Sequence, residues 1–370
     1  MCAKPRVVVA MSGGVDSSLT AALLVHQGYD VIGATMQIWE NSAETIDPDH
    51  RGCCSLSAID DARRVADQIG IPYYVFNFRE MFHDKVIRYF IDEYAVGRTP
   101  NPCVACNRYL KFEGFLQRAL ALEADFIATG HYARINFDKN SERYVLRKGI
   151  DQSKDQSYAL YHLNQRTLEH FLMPLGDYTK QQTRQMARDL GLSVAEKPDS
   201  QEICFVPDDD YKNFLSQRVP EILKPGNIVD LQGKILGRHQ GLPLYTIGQR
   251  KGLGIAAGKP LYVVALRPEK NEVVVGINQE VFSTELIADD FNYVSGDPFE
   301  KPILVKAKIR YNAVEKDAWV TPLPNGKVHI RFIEPQRAIT AGQSVVLYDQ
   351  DMVLGGGTII GNGEIPKEGM

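Results

Sequence analysis

Apolar runs and helical patterns alternate along the first half of the chain. Four apolar runs of strand length are separated by longer segments in which apolar residues recur at helical spacing. This βαβ alternation predicts an α/β fold whose N-terminal domain is a doubly wound parallel sheet. The predicted strands lie at residues 7–10, 31–38, 73–78 and 126–129, and the predicted helices at residues 57–69, 81–96 and 108–122.

A capping signal adds one more helix to this domain. Thr179 and Gln182 have the spacing of a capping box, in which each side chain bonds the backbone N–H of the other residue. They predict a helix from Lys180 to Leu190 that ends at Gly191.

The pattern changes after this helix, which sets the predicted domain boundaries. Short β-type runs with frequent glycines follow the N-terminal domain of residues 1–207 and predict a small β-rich central domain at 208–282. The remaining residues, 283–370, show short strands with hairpin signals at 323–327 and 348–352. They predict a C-terminal β-barrel.

Composition and charge narrow the class of protein. The 370 residues suggest two or three domains, and 44% hydrophobic and 24% charged residues are typical of soluble globular proteins. The net charge of −4 gives no general support for nucleic-acid binding, which would need local patches such as residues 249–251 or 306–311. The first six residues show no signal-peptide core, and no apolar run is long enough to cross a bilayer. We therefore expect a cytoplasmic enzyme without membrane contact.

Residues 12–18, Ser-Gly-Gly-Val-Asp-Ser-Ser, lie between the first predicted strand and a helix. The N–H groups of the helix start, with Gly13 and Gly14 allowing close approach, predict a phosphate site. A Walker loop would contain a lysine, and this loop has none, so nothing within it grips a β/γ-phosphate. Asp16 is suited to bind Mg²⁺. The alternative is an ordinary glycine turn between strand and helix.

The six cysteines are too few and too clustered for a disulfide framework; they are residues 2, 53, 54, 103, 106 and 204. Cys103 and Cys106 form a Cys-x-x-Cys just before a predicted helix, whose field is expected to lower the pKa of the thiols. Cys204 lies at the end of the same domain, so folding could return it to the sheet edge. The Cys-x-x-Cys alone could be a redox pair or half of a structural zinc site. A closed zinc site is disfavoured, because the sequence shows no second paired motif with a fourth Cys or a nearby His. Cys53 and Cys54 are interpreted as structural.

Several motifs together carry a family resemblance. Residues 12–18 resemble the pyrophosphate loop of the ATP pyrophosphatases, whose catalytic domain is of the adenine nucleotide alpha-hydrolase type. With the further motifs, in order and at compatible spacing, nearly the whole chain is similar to the tRNA-specific 2-thiouridylases. These motifs are Asn101–Asn107, Ala128–Ala133, Lys154–Ser157, the setting of Cys204, and Tyr245–Gly254.

The resemblance implies an ATP-dependent tRNA-uridine 2-sulfurtransferase. ATP would adenylate the oxygen at ring position two of the wobble uridine, and sulfur would then displace AMP. The tRNA substrates implied are the glutamate, lysine and glutamine acceptors. The implied ATP-binding residues are Ala10, Met11, Ser12, Gly13, Gly14, Val15, Asp16, Ser17, Met36 and Gly130.

The resemblance also implies a set of tRNA contacts. Asn101, Pro102 and Cys103 would line the target base. The other implied contacts are His131, Lys154, Asp155, Gln156, Arg310, Tyr311 and Gln343. Without the resemblance, each has a plainer interpretation, such as a strand-end turn for His131, strand surface for Arg310 and Tyr311, and a polar loop position for Gln343.

Two routes of sulfur delivery stay open. In the first, Cys204 accepts a persulfide from a cysteine desulfurase or sulfur-relay protein, and Cys106 attacks it to release sulfide or pairs with Cys204 as a disulfide. In the second, Cys103, which stands where better-known members have an aspartate, joins Cys106 and Cys204 as ligands of a [4Fe–4S] cluster. The free iron of that cluster would take hydrosulfide, so free sulfide would be the donor.

Two other functions compete with this interpretation. The first is another tRNA modification by the same superfamily, such as cytidine thiolation or lysidine formation, against which residues 245–254 and the barrel argue. The second is a non-catalytic metal-binding nucleic-acid module, in which residues 12–18 would have no role.

Overall fold

The structure is a computed structural model that describes residues 4–38, 56–199, 203–206, 208 and 210–362. Cys53 and Cys54 lie outside these residues, so their structural interpretation stays a prediction. Within the described ranges, every helix is too short or too polar to span a lipid bilayer.

A parallel sheet organises the N-terminal domain, as the alternating pattern predicts. Its half of the chain contains the strands β1 (Arg6–Ala10), β2 (Asp30–Gln37), β3 (Tyr73–Asn77), β4 (Phe126–Ala128), β5 (Ala133–Asp138), β6 (Arg143–Lys148) and β7 (Phe171–Leu172). The sheet order is β3-β2-β1-β4-β7, with all pairs parallel. In β1, Val8 packs into one hydrophobic core, whereas Val7 and Val9 pack into a second core on the other face. Because side chains alternate along a strand, both faces of the sheet are covered.

Helices supply these two cores. The second core includes Leu19, Ala62 and Ala187, and the first includes Phe90 and Phe115. The helices of this domain are α1 (Val15–His26), α2 (Leu56–Ile69), α3 (Arg79–Phe82) continued by a π-helical segment (His83–Ile87) and α4 (Arg88–Ala95), α5 (Pro102–Ala105) continued by a π-helical segment (Cys106–Gly114) and α6 (Phe115–Leu120), α7 (Gln165–Leu168) and α8 (Lys180–Asp189).

Two helix starts test the sequence signals. The capping box of α8 is present, with Thr179 and Gln182 bonded to each other's backbone, which confirms the predicted helix. The cysteine helix begins at Pro102 instead of Arg108, because the Asn101 side chain accepts a hydrogen bond from the backbone of the helix and proline fits the first helical position. The Cys-x-x-Cys therefore lies in the first turns of the helix and not before it.

The β5–β6 hairpin was not anticipated from the sequence. Its two strands pair along their whole length, and Arg147 of β6 pairs with Met352 in the C-terminal domain. The N-terminal half of the chain thus adds two strands to the C-terminal sheet.

The central domain contains α9 (Tyr211–Arg218) and a small mixed sheet. Its strands are β8 (Gly226–Val229), β9 (Ile235–His239), β10 (Tyr262–Arg267) and β11 (Glu272–Gly276), in the order β10-β11-β8-β9. Val263, Val273 and Val275 form its separate core. Single 3₁₀ turns elsewhere lie at Ser157–Leu160, Pro174–Asp177, Pro220–Ile222, Leu242–Leu244, Pro268–Lys270 and Asn278–Val281.

The C-terminal domain is a closed antiparallel barrel of six strands, which confirms the predicted class. The strands are β12 (Phe282–Tyr293), β13 (Ile303–Lys308), β14 (Lys316–Pro322), β15 (Val328–Arg337), β16 (Ser344–Asp349) and β17 (Met352–Gly361). The hairpin signal at 323–327 lies between β14 and β15, and the signal at 348–352 includes the turn between β16 and β17. β12 pairs with both β15 and β17, which closes the barrel.

Buried tyrosines dock this barrel onto the N-terminal domain. The hydroxyl of Tyr158 donates to the backbone oxygen of Ser344 at 2.8 Å, and Tyr161 bonds the Ser344 hydroxyl at 3.1 Å. A Cβ on Gly356 would lie 2.7 Å from the Tyr161 ring, so glycine is needed for this approach.

An aromatic cluster fixes the segment that follows Cys204. The Phe90 ring lies 5.1 Å from that of Phe205 and 6.0 Å from that of Phe214. Phe90 is fully buried. It therefore joins α4, the Cys204 segment and α9.

Replacing Phe90 with alanine should leave a cavity at this junction. We expect Phe90→Ala to lower the free energy of unfolding by about 3–5 kcal/mol, measured by urea denaturation. The matched control is Phe137→Ala, because Phe137 is 51% exposed. A loss for Phe90→Ala no larger than that of the control would contradict the packing described here.

Candidate active site

A cleft of about 640 Å³ lies at the carboxyl ends of the central strands. It brings together the loop after β1, Met36 at the end of β2, Gly130 after β4, and the three cysteines 103, 106 and 204. The loop residues that line it are Ala10, Met11, Ser12, Gly14, Val15, Asp16 and Ser17. This is where a parallel sheet places its ligands.

The loop after β1 is held tightly around the start of α1. Gly13 has φ +65°, and a Cβ there would lie 2.2 Å from the backbone oxygen of Ala58, so no other residue fits. The Ser17 hydroxyl accepts a hydrogen bond from the Ser12 N–H at 3.0 Å. A Cβ on Gly130 would lie 2.8 Å from the Asp16 backbone, so this glycine lets the end of β4 close against the loop.

Asp16 belongs to an ion-pair network. Lys180, the first residue of α8, places Nζ 2.7 and 2.8 Å from the two carboxylate oxygens of Asp16 and 2.8 Å from Asp199. The Tyr132 hydroxyl donates to Asp16 at 2.8 Å. Burial, followed by the charge of Asp16, raises the pKa of Tyr132. The tyrosine is therefore a permanent donor to this carboxylate.

Three lysines line the cleft together with the loop after β1, and that loop contains no lysine of its own. Besides Lys180, Lys197 donates to the Gly13 backbone oxygen at 3.0 Å and to Asp61 at 2.6 Å, and Lys154 pairs with Asp199 at 2.9 Å. All three line the cleft. The sequence marked Lys154 as a tRNA contact but did not mark Lys180 or Lys197 as site residues, because they reach the cleft from segments far along the chain.

Asp199 is the carboxylate on which three positively charged side chains of this network converge. It pairs with Lys154, Lys180 and Arg184, at 2.9, 2.8 and 2.9 Å. Burial alone would raise its pKa, but hydrogen bonds and charge from Lys180 and Lys154 prevail and lower the pKa of Asp199 to about 2. Nothing in the sequence around Asp199 marked it as a site residue except its nearness to Cys204.

The three cysteines differ in exposure. Cys103 is exposed, whereas Cys106 and Cys204 are partly buried and pack against the larger core of the N-terminal domain. All three line the cleft, so Cys204 does return to the sheet edge.

Five of the predicted tRNA contacts other than Cys103 line the same cleft: Pro102, His131, Lys154, Gln156 and Tyr311. His131 is buried, and its Nδ1 lies 2.7 Å from the Thr129 hydroxyl. Burial, with the charge of Lys111, lowers the pKa of His131 well below its ordinary range. The imidazole is therefore neutral at physiological pH.

The other predicted tRNA contacts lie outside the cleft lining and make structural contacts. Asn101 caps the cysteine helix, and Asp155 accepts hydrogen bonds from Gly149 and Ser157 within its own loop. Arg310 donates to the Arg337 backbone oxygen at 3.1 Å. Gln343 donates to backbone oxygens of residues 99 and 100.

The side chains of the cleft include possible ligands for Mg²⁺ and for an iron–sulfur cluster. Magnesium needs only one or two protein carboxylates beside substrate phosphates, so Asp16 is a suitable ligand. Binding of the ion would replace the Lys180 ammonium group, which now contacts both Asp16 oxygens. A cluster would need three thiols placed around it. Among the described residues, no group of three His, Cys, Asp or Glu is arranged to hold a metal ion, and the three cysteines are no exception. That arrangement concerns a single ion, whereas a four-iron cluster needs thiols spread around a larger body, and the three cysteines that line the cleft are the donors it would use.

Comparisons with known families cover almost the entire chain. A family model described as the tRNA methyl transferase HUP domain matches residues 5–208, one described as the tRNA methyl transferase PRC-barrel domain matches 212–277, and an aminomethyltransferase beta-barrel domain matches 283–359. The fold and the cleft thus define a HUP-domain protein with a pyrophosphate loop and a C-terminal β-barrel.

Curated relatives identify the family. The tRNA-specific 2-thiouridylase MnmA of Acetivibrio thermocellus is 58% identical over 96% of this chain and 99% of its own length. That of Carboxydothermus hydrogenoformans is 57% identical over 96% and 98%. The chain belongs to the tRNA-specific 2-thiouridylase family.

Solved structures show more distant likeness. A 4-thiouridine synthetase–RNA complex with bound ATP matches with a TM-score of 0.32 and 14% identity, over 59% of this chain and 51% of that one. A predicted tRNA methyltransferase subunit from Methanocaldococcus jannaschii gives a TM-score of 0.29 and 20% identity, over 50% and 76%.

The low pKa of Asp199 predicts how the loss of unfolding free energy on removing its carboxylate depends on pH. A carboxylate with a folded pKa of about 2 and an ordinary pKa of 3.8 contributes about 2 kcal/mol of stability above pH 4, which is lost as the pH falls from about 4 towards 2. Asp199→Asn should therefore lower the free energy of unfolding by about that amount from pH 7 to 5.

Urea denaturation of both proteins between pH 7 and pH 3 checks this prediction. The difference between them should narrow only below about pH 4. A difference in unfolding free energy that is constant down to pH 3 would show that it does not come from the charge of Asp199. No difference at pH 7 would show that the ion pairs of Asp199 contribute nothing to stability.

Proposed function

We propose that this protein is a tRNA sulfurtransferase that uses ATP to replace the position-two oxygen of the wobble uridine by sulfur. The observation that carries the proposal is the cleft itself, where a phosphate-binding loop, three lysines and three cysteines meet. The division into residues 1–207, 208–282 and 283–370, with the central domain and the barrel as tRNA-binding parts, belongs to the same proposal.

The loop and the lysines are suited to the adenylation step. The helix N–H groups and Lys180, Lys197 and Lys154 offer positive charge to the β- and γ-phosphates, which leave as pyrophosphate. Magnesium, when bound through Asp16, would neutralise further phosphate charge. The uracil oxygen attacks the α-phosphorus and displaces pyrophosphate. The oxygen can then leave the uracil carbon as part of AMP. The proposed ATP contacts are the loop residues 10–17, Met36 and Gly130.

The partly buried thiols are suited to sulfur transfer. Cys204 carries a terminal persulfide sulfur, received from a cysteine desulfurase or a sulfur-relay protein. The Cys106 thiolate attacks the Cys204 sulfur, the sulfur–sulfur bond of the persulfide breaks, and hydrosulfide leaves as the Cys106–Cys204 disulfide forms. Hydrosulfide attacks the adenylated carbon and AMP leaves; a dithiol reductant returns the two thiols.

A cluster-bound route is the second candidate for sulfur delivery. Cys103, an exposed residue that lines the cleft, is the residue that favours it. Both routes use Cys106 and Cys204, and they differ in whether Cys103 is required. In either route, the glutamate, lysine and glutamine tRNAs are the proposed substrates. The residues proposed to contact them are Asn101, Pro102, Cys103, His131, Lys154, Asp155, Gln156, Arg310, Tyr311 and Gln343.

Asp16→Ala should separate adenylation from RNA binding. It removes the carboxylate at the phosphate loop, so AMP formation should fall by about 100-fold or more while tRNA affinity is unchanged. AMP release from labelled ATP and a tRNA binding assay measure the two. Asp60→Ala, at an exposed ion pair on α2, is the control. Normal AMP release from the Asp16 variant would refute the assigned role.

Cysteine variants distinguish the two sulfur routes. If the persulfide route holds, Cys106→Ser and Cys204→Ser each abolish thiolation and the double variant is no worse, because the two residues act as a unit. Cys103→Ala then retains activity in iron-free protein. Thiolation of unmodified tRNA and iron content, measured on anaerobically purified protein, provide the test. About four irons per chain that track activity, with loss in Cys103→Ala, would establish the cluster route instead.

A further inference from the structure

A turn of the barrel contacts the loop that precedes the cysteine helix. The turn, residues 340–343, joins β15 to β16, and the loop, residues 97–101, leads into α5. The Thr99 N–H donates to the Ala341 oxygen at 2.8 Å. The Gln343 side-chain amide donates to the Thr99 oxygen at 3.0 Å and to the Pro100 oxygen at 3.4 Å.

The turn is itself fixed to the barrel. The Gly342 N–H donates to the Ile359 oxygen at 2.8 Å, and the Ile359 N–H donates to the Gln343 oxygen at 2.8 Å, so one residue of β17 fixes the turn through two hydrogen bonds. Gly342 has φ +89°, and a Cβ there would lie 2.9 Å from both N and O of Thr99. The close approach of the two segments therefore requires glycine.

The loop depends on this outside support. Pro100 and Pro102 have no N–H group, so Thr99 and Asn101 are the only backbone donors among residues 99–102. The carbonyls of Thr99 and Pro100 find their donor in Gln343. Directly after them, Asn101 caps the helix by accepting from the Val104 N–H at 3.3 Å.

The geometry points to Gln343 as a positioning residue for the catalytic thiols. It fixes the backbone just before the helix whose first turns contain Cys103 and Cys106, and so sets where these thiols lie in the cleft. The Nε2 group of Gln343 serves both carbonyls of the loop, which leaves Oε1 for any RNA group. The catalytic consequence rests on the function proposed above, whereas the positioning does not.

Two variants remove the contact to different extents. Gln343→Met keeps the length of the side chain and removes its amide, both the Nε2 donor and the Oε1 acceptor, and Gln343→Ala removes the side chain as well. Gln336→Ala is the control, because the Gln336 amide donates to Glu334 on its own strand. Thermal melting checks that each variant is folded.

Hydrogen exchange without tRNA or ATP is the first readout. In both Gln343 variants the amides of residues 98–106 should exchange roughly five- to tenfold faster, the effect of losing about one or two hydrogen bonds, and in the control they should be unchanged. In the second readout, thiolation, kcat should fall in both variants because the thiols are displaced, and the Kd for tRNA reports separately on any contact that Oε1 makes with RNA.

Two outcomes would overturn the inference. Unchanged exchange of residues 98–106 with weaker tRNA binding would make Gln343 an RNA contact alone. Faster exchange over the whole barrel turn and β17 as well would show general loosening of the barrel. Because exchange is measured without substrates, a failure of the thiolation proposal would leave this result unaffected.

Discussion

The arrangement of the cleft depends on the ion pairs between Asp16, Lys180 and Asp199. Lys180 lies between the two carboxylates at 2.7–2.8 Å and is only 11% exposed. This one ammonium group connects the phosphate loop, the start of α8 and the segment that leads to Cys204. Removing either carboxylate leaves positive charge without its partner in a confined space, which is costly. The same positive charge is what a triphosphate would meet on entering the cleft.

A second constraint comes from the barrel, which is joined to the N-terminal domain at several places around the cleft. Tyr158 and Tyr161 dock onto Ser344, and the β5–β6 hairpin extends the barrel's sheet. Tyr311 lines the cleft and also donates to the Asp155 oxygen at 3.3 Å. The barrel is therefore part of the frame of the cleft and contributes Tyr311 to its lining.

Local signals in the sequence were enough for much of this fold. Apolar periodicity located the four central strands, and turn residues located the barrel hairpins. The start of the cysteine helix was misplaced, although Asn101 and Pro102 are a normal cap and first residue. Contacts between distant segments could not be predicted: Lys180 reaches Asp16 across 164 residues, and Arg147 pairs with Met352 across two domains. Such pairings depend on tertiary packing, which no local pattern records.

The proposed reaction requires that the uracil oxygen leaves on AMP in this cleft. The most direct test uses tRNA in which the position-two oxygen of the wobble uridine is ¹⁸O, with ATP and a sulfur source, and mass spectrometry of the products. Our account predicts one labelled oxygen in AMP for each 2-thiouridine formed. Unlabelled AMP alongside 2-thiouridine would contradict it, since the oxygen would then leave by another route, and sulfur found on a cytidine would contradict the substrate.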